Sequence, residues 1–244
     1  MSETDDAAAR AAAIWHSETQ IRDYLADTEK RERARRPQWE FMALLLPFDD
    51  DAAFTFADLG AGTGPAARAL LDHYPNANAV LADFSPLMKD EAAAVMDRYR
   101  GRFEYVEFDM ATGEWPDAIP RQLDAVITSQ CVHHLTDERK RGLFAEIWQH
   151  LAPGGWYLNF DPIASSDSMV EETWQRVTER IDPAQREKRL NRTPAQHARH
   201  EEHVRHMVPL DPQVDFVRAA GFEAVDVYWK QLDYVIYGGR RPAA

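Results

Sequence analysis

The stretch FTFADLGAGTGP, residues 54–65, limits the fold more than any other part of the chain. Phe54, Phe56 and Leu59, with small residues between them, read as a short buried strand. Gly60, Gly62 and Gly64 follow at a spacing of two, and Pro65 then opens AARALLDHY, which has a helical period. Glycine takes positive φ and, having no Cβ, lets a ligand come close to the backbone. Proline suits the first helical position, where its missing N–H costs nothing. Strand, glycine turn and helix together set backbone N–H groups and a helix N-terminus before a small ligand. The dinucleotide fingerprint G-x-G-x-x-G is not met, because Pro65 holds the third-glycine position. Asp58, just before the turn, would repel a pyrophosphate and attract a cation such as an amino group.

The alternation continues beyond this unit. NAVLAD, residues 78–83, reads as a second buried strand ending in Asp83. A carboxylate there can hold a ribose diol; its plainer use is to cap the next helix, for which Ser85 competes. Phe84 can lie against a flat base or in the core. FEYVEFD, residues 103–109, is a third strand ending in Asp109, followed by Met110. A carboxylate accepts from an exocyclic amine, and a thioether packs on a base. LDAVITSQ (123–130) and WYLNFDP (156–162) read as further strands, joined by a helix that Thr136 caps and APGG stops. EAVDVYW (223–229) and LDYVIYGGR (232–240), separated by Lys230 and Gln231, form an antiparallel hairpin.

Two helical regions flank or interrupt this pattern. Residues 1–10 read as a frayed tail and 11–46 as helices broken at Pro37. The charge run 30–36 is a solvated face, unless Arg33 or Arg36 reaches a ligand carboxylate. Residues 163–211 are polar and helical, an inserted cap. The organisation is then an N-terminal helical lid (1–50), an α/β core (51–162), a cap insertion (163–213) and a closing segment (214–244). The net charge of −13 argues against a nucleic-acid partner. Cys131 is the lone cysteine, no apolar run reaches membrane-spanning length, and the first residues are acidic, so a cytoplasmic protein without membrane partners is expected.

Asp58-Leu59-Gly60-Ala61-Gly62-Thr63-Gly64 resembles the E/D-x-G-x-G-x-G motif of class I S-adenosylmethionine-dependent methyltransferases. Asp83, Asp109, DAVITSQCVHHL, the helix into LAPGG and the closing hairpin stand where that family places its later motifs. The resemblance covers roughly residues 53–162 and 214–240. It implies a Rossmann-like α/β fold: a seven-stranded, mostly parallel sheet with an antiparallel C-terminal hairpin. It also implies S-adenosyl-L-methionine as cofactor. The glycine turn (Gly60, Gly62, Gly64) would approach its methionine part and Asp58 its amino group. Asp83 would bind the ribose and Asp109 with Met110 the adenine, with Phe84 against the base. Ser129 and Gln130 would line the floor beneath the sulfonium.

The implied activity is methyl transfer to an O, N or C nucleophile of a small molecule by in-line displacement. The alternatives are other chemistry on the same cofactor, or a noncatalytic cofactor-binding subunit. His133 and His134, at the mouth of the fourth strand, either pack or serve the acceptor by orienting it or taking its proton. His197, His200, His203 and His206 drift round a helix, so no metal site is expected; His203 and His206, with Trp229, are candidate walls of the substrate pocket. A homodimer is allowed by the reading, which does not require one.

Overall fold

The computed structural model describes residues 21, 22, 25, 26 and 28–243. The tail and part of the first helical segment, Trp15 and Tyr24 among them, lie outside the described residues. The strands are β1 (Thr55–Leu59), β2 (Asn78–Asp83), β3 (Phe103–Glu107), β4 (Leu123–Ser129), β5 (Leu151–Pro162), β6 (Glu223–Gln231) and β7 (Tyr234–Arg240). They form one seven-stranded sheet in the order β3-β2-β1-β4-β5-β7-β6. β1 pairs in parallel with β2 and β4, while β7 runs antiparallel between β5 and β6. The strand order reverses between β1 and β4, and in open α/β sheets the crevice at such a point takes the ligand.

The helices are α1 (Thr28–Leu45), α2 (Pro65–His73), α3 (Pro86–Val95), α4 (Asp137–His150), α5 (Ser168–Ile181), α6 (Pro183–Leu190), α7 (Pro194–Val204) and α8 (Leu210–Ala219). The sheet is apolar on both faces. One face packs Phe56, Leu81 and Ile127 against Met42, Leu70 and Tyr74 from α1 and the α2 segment. The other packs Leu59, Val126 and Tyr157 against Phe144 of α4 and Val217 of α8. Burying each such side chain contributes about 1.5–3 kcal/mol. The Tyr74 hydroxyl donates to the Ala43 carbonyl at 2.8 Å, which fixes α1 on the sheet.

The expected elements form with three corrections. α1 does not break at Pro37. Proline removes one helical N–H, but Arg33 and Pro37 lie on the exposed face, where water serves the unmatched carbonyl. β5 starts at Leu151 and takes APGG into the strand through a register shift opposite Leu123 and Ala125. The hairpin turns at Leu232–Asp233, with Leu232 at φ 53°, so Lys230 and Gln231 belong to β6. Between β5 and α8 the chain forms α5, α6 and α7, and neither α5 nor α6 buries a residue. The two ends of this excursion are tied down: Ile163 N–H donates to the Asp233 carbonyl at 2.7 Å, and Ala164 N–H to that of Val208 at 3.2 Å.

The antiparallel insertion of β7 depends on small residues. A Cβ built on Gly238 would lie 1.9 Å from the Tyr157 carbonyl oxygen of β5, and backbone cannot swing aside as a side chain can. Gly238→Ala is therefore expected to destabilise the chain by about 3 kcal/mol, measured as a lower urea midpoint with unchanged slope.

Candidate active site

The glycine turn follows β1 and opens into a cavity of about 560 Å³. Gly60, Gly62 and Gly64 have φ of 69°, 54° and 77°, all in the left-handed region. A Cβ on Gly60 would stand 2.7 Å from Cys131 Cβ and 2.9 Å from Met110 Cε, so the turn packs tightly on the loop after β4. At Gly62 nothing comes nearer than Met88 Sδ at 3.9 Å. Gly60 N–H donates to the Ala82 carbonyl at 2.7 Å, which ties the turn to β2. Pro65 takes the first position of α2, as its fixed φ favours.

Three carboxylates surround the turn and line the cavity: Asp58, Asp83 and Asp109. Asp58 is 1% exposed. Its Oδ2 accepts from Ala67 N–H at 3.1 Å, while Oδ1 is buried with no partner among the described residues. Burial pushes its carboxyl up to about 8; the Ala67 N–H pulls the other way, and the charge of Asp83 adds to the rise. Asp83 accepts from Gly62 N–H at 2.8 Å and from Ser85 N–H at 3.0 Å, one on each oxygen. Each oxygen keeps a further lone-pair direction. Ser85, not Asp83, caps α3, its hydroxyl accepting from Met88 N–H at 3.4 Å. Asp109 Oδ1 accepts from Ala111 N–H at 2.8 Å, and the Met110 carbonyl accepts from Arg139 Nε at 2.7 Å. Phe84 and Met110 line the same cavity.

The opposite wall comes from the loop after β4 and from α1. Ser129, Gln130, Cys131 and His134 line it, with Arg35 and Trp39 of α1 and His206 beyond α7. Gln130 has φ 60°, and its N–H donates to the Phe160 carbonyl at 2.9 Å. The Ser129 hydroxyl accepts from Trp39 Nε1 at 2.8 Å. Of the arginines in the charge run, Arg33 pairs with Glu29 and Arg36 with Glu40 on the surface; Arg35 is the one at the cavity. Sequence reasoning names Arg33 or Arg36 and misses Arg35; Arg35 and Trp39 are four residues apart and share a helix face, a spacing that could have paired them.

The remaining candidates part company. His133 is 2% exposed and absent from the cavity lining; its Nδ1 lies 2.7 Å from Asp161 Oδ1, and its N–H donates to Asp161 Oδ2 at 2.8 Å. Burial pushes the imidazole down to about 3, helped by the charges of Lys140 and Arg35. The same burial pushes Asp161 up to about 7. His134 also falls well below the usual histidine range through burial, then through the neighbouring His133 and His203. His203 stands off the cavity, against the rings of His133 and His134 at 4.7 and 5.3 Å. Trp229 does not line the cavity either; it packs edge-on to Phe160, 6.1 Å between ring centres. β6 is the edge strand, separated from the switch point by β4, β5 and β7, which is why a residue on it falls outside the site.

The donor set suits a nucleoside carrying an amino group. The orphaned oxygen of Asp58 calls for a cation, Asp83 can take two hydroxyls, and Asp109 with Met110 can take a base edge and face. A phosphate group has no comparable partner among these acids. The raised Asp58 pKa also bears on stability. An unfolded aspartate titrates near about 3.9, so folding favours the protonated form, and the contribution is lost as pH rises from there through about 8. Asp58→Asn should raise the unfolding free energy by on the order of 2 kcal/mol at about pH 8, with the gap closing towards about pH 4, read by denaturant titration across that range.

Residues 56–155 match the family model described as "Methyltransferase domain". The chain is 35% identical over 128 residues to the uncharacterized methyltransferase YrrT of Bacillus subtilis (strain 168), spanning 52% of this chain and 53% of that protein. It is 30% identical over 132 residues to trans-aconitate 2-methyltransferase of Azoarcus sp. (strain BH72), spanning 54% of this chain and 46% of that one. The chain thus matches about half the length of these curated relatives. Among solved structures, an O-methyltransferase family protein from Burkholderia thailandensis superposes with a TM-score of 0.67 at 20% identity, covering 94% of this chain and 62% of that one. The sheet order and the glycine turn with its three acids thus accompany a match to a methyltransferase domain over residues 56–155.

Proposed function

We propose that this protein transfers the methyl group of S-adenosylmethionine to a small-molecule acceptor. The observation that carries the reading is the buried, unmatched Asp58 oxygen at the floor of a glycine turn, which a nucleoside bearing an ammonium would satisfy. Bound there, the cofactor supplies a methyl group already activated by its sulfonium. The protein's task is then to align a nucleophile and keep water away.

The chain's own residues divide that task. Asp58 holds the amino group and Asp83 the ribose hydroxyls. Asp109 receives the adenine amine, while Phe84 and Met110 pack against its ring. Ser129 and Gln130 border the reacting region. Trp39, fixed to Ser129, excludes water from that side. Arg35, His134 and His206 line the part of the cavity left to the acceptor. The guanidinium of Arg35 suits an acceptor with a carboxylate or other anionic oxygen. His134, held neutral, orients the acceptor through a hydrogen bond. The N-terminal helix α1 and the 163–213 insertion act as lid and cap. A cavity of about 560 Å³ bounds the partner to a small molecule alongside the cofactor.

Two measurements test this reading. Each hydrogen bond to a charged group contributes about 1.5–3 kcal/mol, so Asp83→Ala should weaken S-adenosylhomocysteine binding by more than about tenfold in calorimetry. Methyl-labelled S-adenosylmethionine incubated with a metabolite extract should give a labelled small product. Label recovered only in a product that still contains the adenosyl portion would assign different chemistry to the same cofactor.

A further inference from the structure

We propose that His133, His134 and His203 form a binding site for one late first-row divalent cation, zinc in the first instance, which joins the helical insertion to the floor of the catalytic cavity. One ligand atom from each of the three residues lies within 4.8 Å of the others. The ring centres are 4.0 Å apart for His133 and His134, 4.7 Å for His133 and His203, and 5.3 Å for His134 and His203. Tetrahedral zinc with Zn–N bonds of about 2.0–2.1 Å needs nitrogens about 3.3 Å apart. Rotamer adjustment of His203, on the exposed side of α7, covers the difference.

A second observation points to a ligand independently. His133 Nε2 is buried with no partner among the described residues. A buried imidazole nitrogen left unmatched costs about 1–3 kcal/mol. Its other nitrogen faces Asp161 Oδ1 at 2.7 Å, and Asp161 is itself anchored by the His133 N–H at 2.8 Å. With that carboxylate accepting the Nδ1 proton, the ring is fixed and the Nε2 lone pair is left for a ligand. A carboxylate behind a histidine is the arrangement that orients metal-bound imidazoles and raises their basicity.

The charges near the site are mixed. Asp161 favours a cation, whereas Lys140 and Arg35 oppose one. Lys140 is buried and engaged by two partners, the His206 carbonyl and Asp137 Oδ1 at 3.6 Å. Three imidazoles leave the fourth position of a tetrahedral ion to water or to an acceptor oxygen, and His134 also lines the cavity. The ligands come from two elements far apart in sequence, the short turn Val132–His134 after β4 and helix α7. The ion would therefore hold the insertion against the core.

The test uses the full chain, stripped with a chelator and dialysed, then titrated with Zn²⁺ by calorimetry and with Co²⁺ by visible absorption. One ion per chain and the strong visible bands of four-coordinate cobalt are expected. Asp161→Asn should weaken binding about 10- to 100-fold, and His203→Ala by more. His203 is exposed, so its variant is expected to fold, and retained S-adenosylhomocysteine binding verifies that it has. No saturable binding, or His203→Ala binding like the unmodified chain, would overturn the proposal. Metal binding that depends on His203 in a chain that fails to bind S-adenosylhomocysteine would uphold the metal site and overturn the methyltransferase reading instead.

Discussion

The site depends on one buried charge problem. Asp58 ends close to the centre of the sheet, 1% exposed, with one oxygen served by the Ala67 N–H and the other by nothing among the described residues. Such a carboxylate is pushed towards its neutral form, and a protein keeps it at a cost in stability. The surrounding geometry gives that cost a use. β1 lies beside the point where the strand order reverses, the three glycines bring the backbone down over the acid, and α2 begins at the same place. A ligand ammonium placed there would ionise the acid and pair with it. Asp83 and Asp109, at the ends of the next two strands, then fall in line along the same cavity because parallel neighbours present their C-terminal ends together.

The cavity wall around the glycine turn was legible in the sequence for a physical reason. Its residues sit at strand ends, and strand ends are marked by a change from an apolar run to glycine or acid. Asp58, Gly60, Gly62, Asp83, Phe84, Asp109, Met110, Ser129 and Gln130 line the cavity as that pattern implies, whereas Gly64 packs against Leu81 and Met96 and does not. The sheet was legible too, since buried strands are apolar runs bounded by turn residues. The errors were local: Pro37 on an exposed helix face cost too little to break α1, and the hairpin turned two residues later than spacing suggested.

The opposite wall was not legible, because it is built partly by helices whose register against the sheet no pattern reveals. Arg35 reaches the cavity whereas Arg33 and Arg36 turn to surface partners, a choice decided by helical rotation. The histidines show the same limit. A series three residues apart on α7 looked like a solvated face, and only His203 of that series meets His133 and His134 from another element. Asp161, invisible as a site residue in a buried strand, is what orients His133. Contacts between distant segments build that wall, while the glycine turn and its acids are local.

The central claim is that the glycine turn and its acids hold a nucleoside with an ammonium group, not a pyrophosphate. Calorimetric titration of one preparation with S-adenosylhomocysteine and with NAD tests it most directly. The account predicts saturable binding of S-adenosylhomocysteine at one per chain and no binding of NAD at the same concentrations. Heat from NAD alone, or from neither, would contradict it.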